Sequence, residues 1–319
     1  MTALTLAADI GGTKSLFGLF DGDDCLQQHR LANADFSSFE TVLAAALDEL
    51  GTSAIVTSAV ARACFAVAGP VADDGRSAKI TNLPWRVDAP ALETHFGLPC
   101  IRLVNDFAAA ALGAVNASPA DRQVLQTGQR IASAPHLIVG AGTGLGMAIA
   151  LPQDAGWRIV PGEGGHVAFA PADAEQDALW QALHAEFGRV TWERVVSGPG
   201  LGLIYRHMCQ RDGADPILPP DALANAPADS PAGRAVALFL RCYGAYAGDM
   251  AMTLLPRGGV HLAGGIAAKL LPQLTQSGFM DAFNAKAEHA HLAALIPVDV
   301  CTDPALGLRG AASYATKKA

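Results

Sequence analysis

The chain has 319 residues, 51% of them hydrophobic, and a formal net charge of −8. That length suits two domains, each able to bury an ordinary core. Lys and Arg are scattered, which argues against a nucleic-acid partner or an anionic membrane surface, since both require concentrated positive charge. The six cysteines (Cys25, Cys64, Cys100, Cys209, Cys242, Cys301) form no CxxC pair. Such spacing fits free thiols in a reducing compartment better than a disulfide framework or a zinc site. No stretch has the length and apolarity of a membrane span, and no basic region followed by an apolar run opens the chain. The expectation is a cytoplasmic protein.

Leu4–Phe20 reads as strand, tight turn, strand: LTLAA, then Asp9-Ile10-Gly11-Gly12-Thr13, then SLFGLF. Glycine tolerates positive φ and lets backbone N–H groups approach phosphate oxygens, and the Thr hydroxyl adds a donor. An Asp beside such a turn can hold magnesium through water. An ordinary hairpin turn carries the same residues, so the turn alone decides nothing. A helix is expected over Phe39–Leu50 from its apolar spacing, with short strands at Ala63–Val67 and Ile101–Val104.

Asn105-Asp106 follows the second of these strands and opens the Ala-rich helix Phe107–Val115. A carboxylate in a first helical turn is stabilised by the helix dipole and fixed on a rigid element. That is what a kinase asks of the base that orients and deprotonates an attacking hydroxyl. It is also what a plain helix cap looks like.

From Leu137 the opening pattern recurs as LIVGAGTGLGMAIAL, an apolar strand, a Gly-Thr turn at Gly142-Thr143-Gly144 and a second apolar strand. Two such hairpins hint at two related lobes. The stretch resembles a dinucleotide fingerprint but has Leu145 at the third glycine, and it opens a strand and not a helix. No GxxxxGK[ST] motif exists, so a P-loop is excluded.

Pro161-Gly162-Glu163-Gly164-Gly165-His166 sets an acid and an imidazole on a glycine-flanked loop; the glycines argue against a helical metal pair. Glu193 sits in Trp192-Glu193-Arg194, ahead of Ser197-Gly198-Pro199-Gly200. Beyond a Pro/Ala/Asp-rich surface segment (about 212–233) come a long helix and the strand Val260–Ala263. That strand turns through Gly264-Gly265 into another helix, which allows close backbone approach to a purine or ribose. Strands alternating with helices make the chain α/β.

In this order, the DIGGT, VNDF, GAGTGLG, PGEGGH, ERV–SGPG and AGG segments resemble the bacterial glucokinase family, with GEGGHV and VNDF the most specific. The resemblance spans residue 9 to about 310. It implies the actin/Hsp70/sugar-kinase superfold: two lobes, each with a ribonuclease-H-like core, around a central cleft. The expected division is residues 1–110 plus 300–319 as a small α/β domain and 111–299 as a large one.

It further implies ATP-dependent phosphorylation of glucose at the 6-hydroxyl. Asp106 would be the base, Asn105 would bind neighbouring hydroxyls, and Glu163, His166 and Glu193 would grip hydroxyls toward the anomeric end. Gly11, Gly12, Thr13 and Gly142, Thr143, Gly144 would embrace the phosphates, Gly264 and Gly265 the adenosine, and Asp9 would lie near Mg2+. A homodimer is the assembly the resemblance suggests.

The chemistry agrees, because carboxylates accept well from a polyol's hydroxyls and buried polar partners reject sugars lacking one. Lys14 departs from the family's usual Asn. Phe169–Trp192 lacks the cysteines of the related repressor/ORF/kinase zinc motif, so no zinc is expected. Two other classes fit the sequence less well. A sugar-responsive transcription regulator needs a DNA-binding extension, whereas this acidic chain starts almost at the first hairpin. A nicotinamide oxidoreductase needs the glycine that Leu145 replaces. The hexose itself and the phosphate donor stay open at this level.

Overall fold

Strand β1 (Leu4–Ile10) is apolar throughout because both its faces are covered: Leu6, Ala8 and Ile10 look one way and Ala7 the other, all fully buried. The structure is a computed structural model that describes residues 4–51, 60–81 and 83–316. The chain divides into two compact units, residues 1–117 with 305–319 and residues 118–304. The outermost residues of the expected small domain, 1–3 and 317–319, lie outside the described residues.

In the first unit β1 pairs antiparallel with β2 (Lys14–Asp21), which pairs antiparallel with β3 (Asp24–Ala32). On its other side β1 pairs in parallel with β4 (Val60–Val67), and β4 with β7 (Ile101–Asn105). The order is β3-β2-β1-β4-β7, with a separate ribbon of β5 (Ser77–Lys79) and β6 (Arg86–Asp88). Helix α1 (Phe39–Glu49) starts at a Ser38/Thr41 capping box and packs Phe39, Val42 and Leu43 into a core with Phe17, Phe65 and Trp85. Helix α2 (Ala89–Phe96) is capped by Asp88 and ended by the left-handed Gly97.

The opposite face of this sheet is lined by small residues, Ala7, Cys64 and Ala66. They let α3 (Asp106–Asn116) and the C-terminal helix (Leu306–Thr316) lie close. A Cβ on Gly113 would come 2.1 Å from Leu306 O, and one on Gly310 would come 1.8 Å from Ala109 O. The two helices therefore cross backbone to backbone, and α3 begins with Asp106.

The second unit repeats this path. β9 (His136–Ala141), β10 (Leu145–Gln153) and β11 (Gly156–Gly162) are consecutive antiparallel strands, and β12 (Gly259–Ala263) and β13 (Val298–Cys301) continue the sheet in parallel. The order is β11-β10-β9-β12-β13, with β8 (Arg122–Gln126) added antiparallel at the β13 edge. Three antiparallel strands followed by two parallel ones, in both units, is the ribonuclease-H-like arrangement; the recurrent hairpin in the sequence was its visible part.

Around this sheet stand α4 (Ala174–Phe187), α5 (Trp192–Val195), α6 (Gly198–Asp212), the 24-residue α7 (Pro231–Leu254) and α8 (Gly265–Lys269). Patterning does not announce α6, because its first turn is Gly-Pro-Gly. Ser197 starts it by accepting from Gly200 N at 3.0 Å, and Pro199 suits a first helical turn. None of the six cysteines is in a disulfide. Among the described residues no helix is long and apolar enough to cross a membrane.

Candidate active site

In the first unit the Gly-Gly-Thr turn closes with Gly11 N donating to Lys14 O at 3.0 Å, so the chain reverses between β1 and β2 with Gly12 partly exposed and Thr13 exposed. Behind it is Asn33, 2% exposed. Its amide donates to Gly11 O at 2.8 Å, its carbonyl oxygen accepts from Ser15 Oγ at 2.7 Å, and its backbone N–H donates to Thr13 O at 3.0 Å. Asn33 thus fixes both arms of the turn. Sequence reasoning missed it, because nothing local distinguishes a buried buttress from a polar loop residue.

Asp9 lies near the end of β1 and Asp106 at the start of α3, near enough for their charges to interact. Asn105 caps α3, its Oδ1 accepting from Phe107 N and Ala108 N at 3.0 and 3.1 Å, while its amide donates to Gly69 O at 3.4 Å. Asp106 is the first helical residue, and its Oδ1 accepts from Phe107 N at 2.8 Å. The cap and the candidate base are therefore separate residues. Asp9 lies against the start of the C-terminal helix, where a Cβ on Gly307 would come 2.4 Å from Asp9 Oδ2.

Burial, and then repulsion from Asp106, push the Asp9 carboxyl up to about 6, against the opposing pull of Lys14 and Arg30. A folded-state value above the ordinary 3.8 means that ionised Asp9 costs stability at pH above about 6, and that the cost disappears near pH 4. Asp9→Asn should therefore stabilise the ligand-free protein at pH 7.5 by about 3 kcal/mol and leave it unchanged near pH 4. Thermal melting at the two pH values checks this; a lower midpoint at pH 7.5 would contradict it.

In the second unit Gly142 N donates to Gly144 O at 2.8 Å, closing the hairpin between β9 and β10. The hairpin leads into a strand, as expected, and so presents no helix N-terminus to a pyrophosphate. Thr143 is exposed at its tip. Glu193 Oε2 accepts from Leu145 N at 2.8 Å, and a Cβ on Gly144 would come 2.6 Å from the same oxygen. Glycine at 144 is what allows a carboxylate from α5 to reach the hairpin. Gly198 N, at the start of α6, donates to Gly142 O at 2.8 Å. Gly264 has φ +87° and lies against Ala141 O, where a Cβ would come within 2.9 Å, and Gly265 opens α8 beside it.

Glu163 and His166 flank a single turn, with His166 Nε2 3.8 Å from Glu163 Oε2 and both side chains exposed. Gly165 packs on β10, its would-be Cβ 2.4 Å from Leu145 O. The chain leaving His166 pairs with the lead-in to α5: Trp192 N donates to Val167 O and Phe169 N to Val190 O, each at 3.0 Å. Glu193 and the Glu163–His166 turn thus both meet β10 at Leu145, whose N–H holds Glu193 and whose carbonyl seats Gly165.

The arrangement is similar to that of solved sugar kinases. The crystal structure of a glucokinase from an Antarctic psychrotroph matches with a TM-score of 0.83 over 99% of each chain at 28% identity. The ROK family glucokinase from Streptomyces griseus, solved in complex with glucose and AMPPNP, shares the fold with a TM-score of 0.67, 20% identity and coverage of 98% and 99%. Fold and strand order define the class, a sugar kinase of the actin-like ATPase superfold. The glucokinase family model matches residues 6–318, and the glucokinase of Trichormus variabilis is 35% identical over 98% of this chain and 99% of its own. The chain belongs to the glucokinase family.

Proposed function

We propose that this chain transfers the γ-phosphoryl group of ATP to the 6-hydroxyl of glucose, with Asp106 as the base. Family membership over nearly the whole chain supports the reaction. One observation carries the choice of base: Asp106 is a carboxylate at the first helical position of α3, held by Phe107 N and distinct from the cap. In the transfer, O6 attacks the γ-phosphorus, the bond to the β–γ bridging oxygen breaks, ADP leaves, and the O6 proton passes to Asp106.

Asn105, with its carbonyl oxygen committed to the cap, offers its amide to an adjacent hydroxyl. Glu163, His166 and Glu193 take hydroxyls toward the anomeric carbon. Gly11, Gly12, Thr13, Gly142, Thr143 and Gly144 supply backbone donors to the phosphates. Gly264 and Gly265 leave room for the adenosine.

Mg2+ fits the first unit, because burial first and the Asp106 charge second both disfavour an ionised Asp9, and a cation would offset both. When bound it neutralises charge on the phosphoryl oxygens, and Asp9 would hold it through water. No zinc is proposed. His261, Asp299 and Cys301 form the metal-type cluster among the described residues, but Arg122 Nη1 already lies 2.7 Å from His261 Nδ1 and 3.2 Å from Asp299 Oδ1. A homodimer in the cytoplasm completes the proposal on family resemblance; metal content of the purified chain checks the absence of zinc, and its solution mass checks the dimer.

The deciding assay is ADP release with ATP and Mg2+ across a hexose panel. Glucose-dependent turnover is expected to exceed that with mannose or amino sugars. Absence of any sugar-dependent turnover would sink the proposal.

A further inference from the structure

Tyr246, on α7, is fully buried, yet its hydroxyl has no hydrogen-bond partner among the described residues. A buried donor left unpaired is destabilising, and phenylalanine would fill the same space without that cost. Tyr243, one turn earlier on the same helix, is also fully buried but donates to Val139 O at 3.4 Å. Burial alone therefore does not leave tyrosines of this helix unpaired.

The direction of the Tyr246 hydroxyl is informative. It faces the turn between Glu163 and His166, where a Cβ on Gly164 would come 2.9 Å from it. The Tyr246 ring packs on Trp192, with centroids 5.6 Å apart, and Trp192 immediately precedes Glu193. One side chain thus supports both segments to which sugar binding is assigned. Burial pushes the hydroxyl's pKa up, and the charge of Glu193 adds to the rise. Glu193 Oε2 is committed to Leu145 N, so a second donor to this carboxylate would fix its remaining orientation.

We propose that Tyr246 is a positioning residue for hexose binding, its hydroxyl donating to the Glu193 carboxylate in the sugar-bound protein and standing unpaired without sugar. The proposal rests on the assignment of Glu193 to the sugar. It explains why an unpaired hydroxyl is kept in a core position, and why no residue of the Glu163–His166 turn satisfies it.

The test is Tyr246→Phe in the full chain. The expected result is a rise of about tenfold in KM for glucose, the scale of one hydrogen bond to a charged group. KM for ATP should stay within twofold, and the melting midpoint without sugar should be equal or higher. In a Glu193→Gln background the same change should add less than twofold, because the charged partner is gone. A glucose KM within twofold of the parent would overturn the proposal. So would a rise matched by KM for ATP and accompanied by a lower melting midpoint, which is the signature of a merely structural role. If the parent shows no sugar-dependent turnover, the glucokinase reading fails first and this one with it.

Discussion

Asp106→Asn is expected to lower kcat by about 10²- to 10⁴-fold, the range of general acid–base contributions, while the protein keeps its fold. The substitution is nearly isosteric, and an amide oxygen can still accept from Phe107 N, the bond that now holds Oδ1 at 2.8 Å. The cap survives, because Asn105 Oδ1 accepts from Ala108 N and shares the Phe107 N–H with Asp106 Oδ1. What disappears is the negative charge, worth only about 0.3–1 kcal/mol to the helix through its dipole. Stability should therefore change little, and KM for glucose should move far less than kcat. A further consequence follows from Asp9. Repulsion from Asp106 is the second cause of its raised carboxyl, so removing that charge should bring the Asp9 titration down from about 6. Steady-state kinetics measures the first effect and carboxyl titration by NMR the second. Near-full activity in the variant would remove Asp106 from the mechanism.

The parts of this site that could be read from sequence are those whose chemistry is local. A strand followed by Gly-Gly-Thr and another strand must turn, and a turn rich in glycine exposes backbone donors; the β1–β2 and β9–β10 hairpins are such turns. The placement of Asp106 was legible because an apolar strand meets an Ala-rich helix there. The shared order of the two sheets showed only as a faint repeat, since strand order is set by contacts far apart in sequence. Asn33 lies 22 residues from the carbonyl it holds, and Glu193 lies 48 from the N–H it accepts. No window on the sequence contains both partners. Tyr246 sits in an apolar helix, where any pattern assigns it to the core. Glu193 was picked out for its company, and its bond to the hairpin came from the fold alone.

Gly310→Ala should be the most damaging single-carbon change in the first unit. In an exposed helix interior, alanine is worth about 0.5–1 kcal/mol over glycine. At 310 that gain is opposed by a Cβ placed 1.8 Å from Ala109 O and 2.5 Å from its carbonyl carbon. Both are backbone atoms of α3, so relief requires the two helices to separate, with the loss of contacts made by Ala109, Leu308 and Ala311. Overpacking of this kind typically costs about 1–3 kcal/mol and occasionally more. A backbone–backbone clash belongs at the upper end, giving a net loss of about 2–3 kcal/mol after the propensity gain. The same separation would disturb the proposed site, because Ala109 lies one turn beyond Asp106, and Gly307, one turn before Gly310, lies against the Asp9 carboxylate. Lower stability and lower kcat should therefore appear together. Gly202→Ala is the control: Gly202 lies within α6 with no atom within 4 Å of its would-be Cβ, so that variant should be more stable by about 0.5–1 kcal/mol. Thermal or urea unfolding of the two variants separates helix propensity from packing, and a stabilised Gly310→Ala would show that the close crossing is not what holds α3 in place.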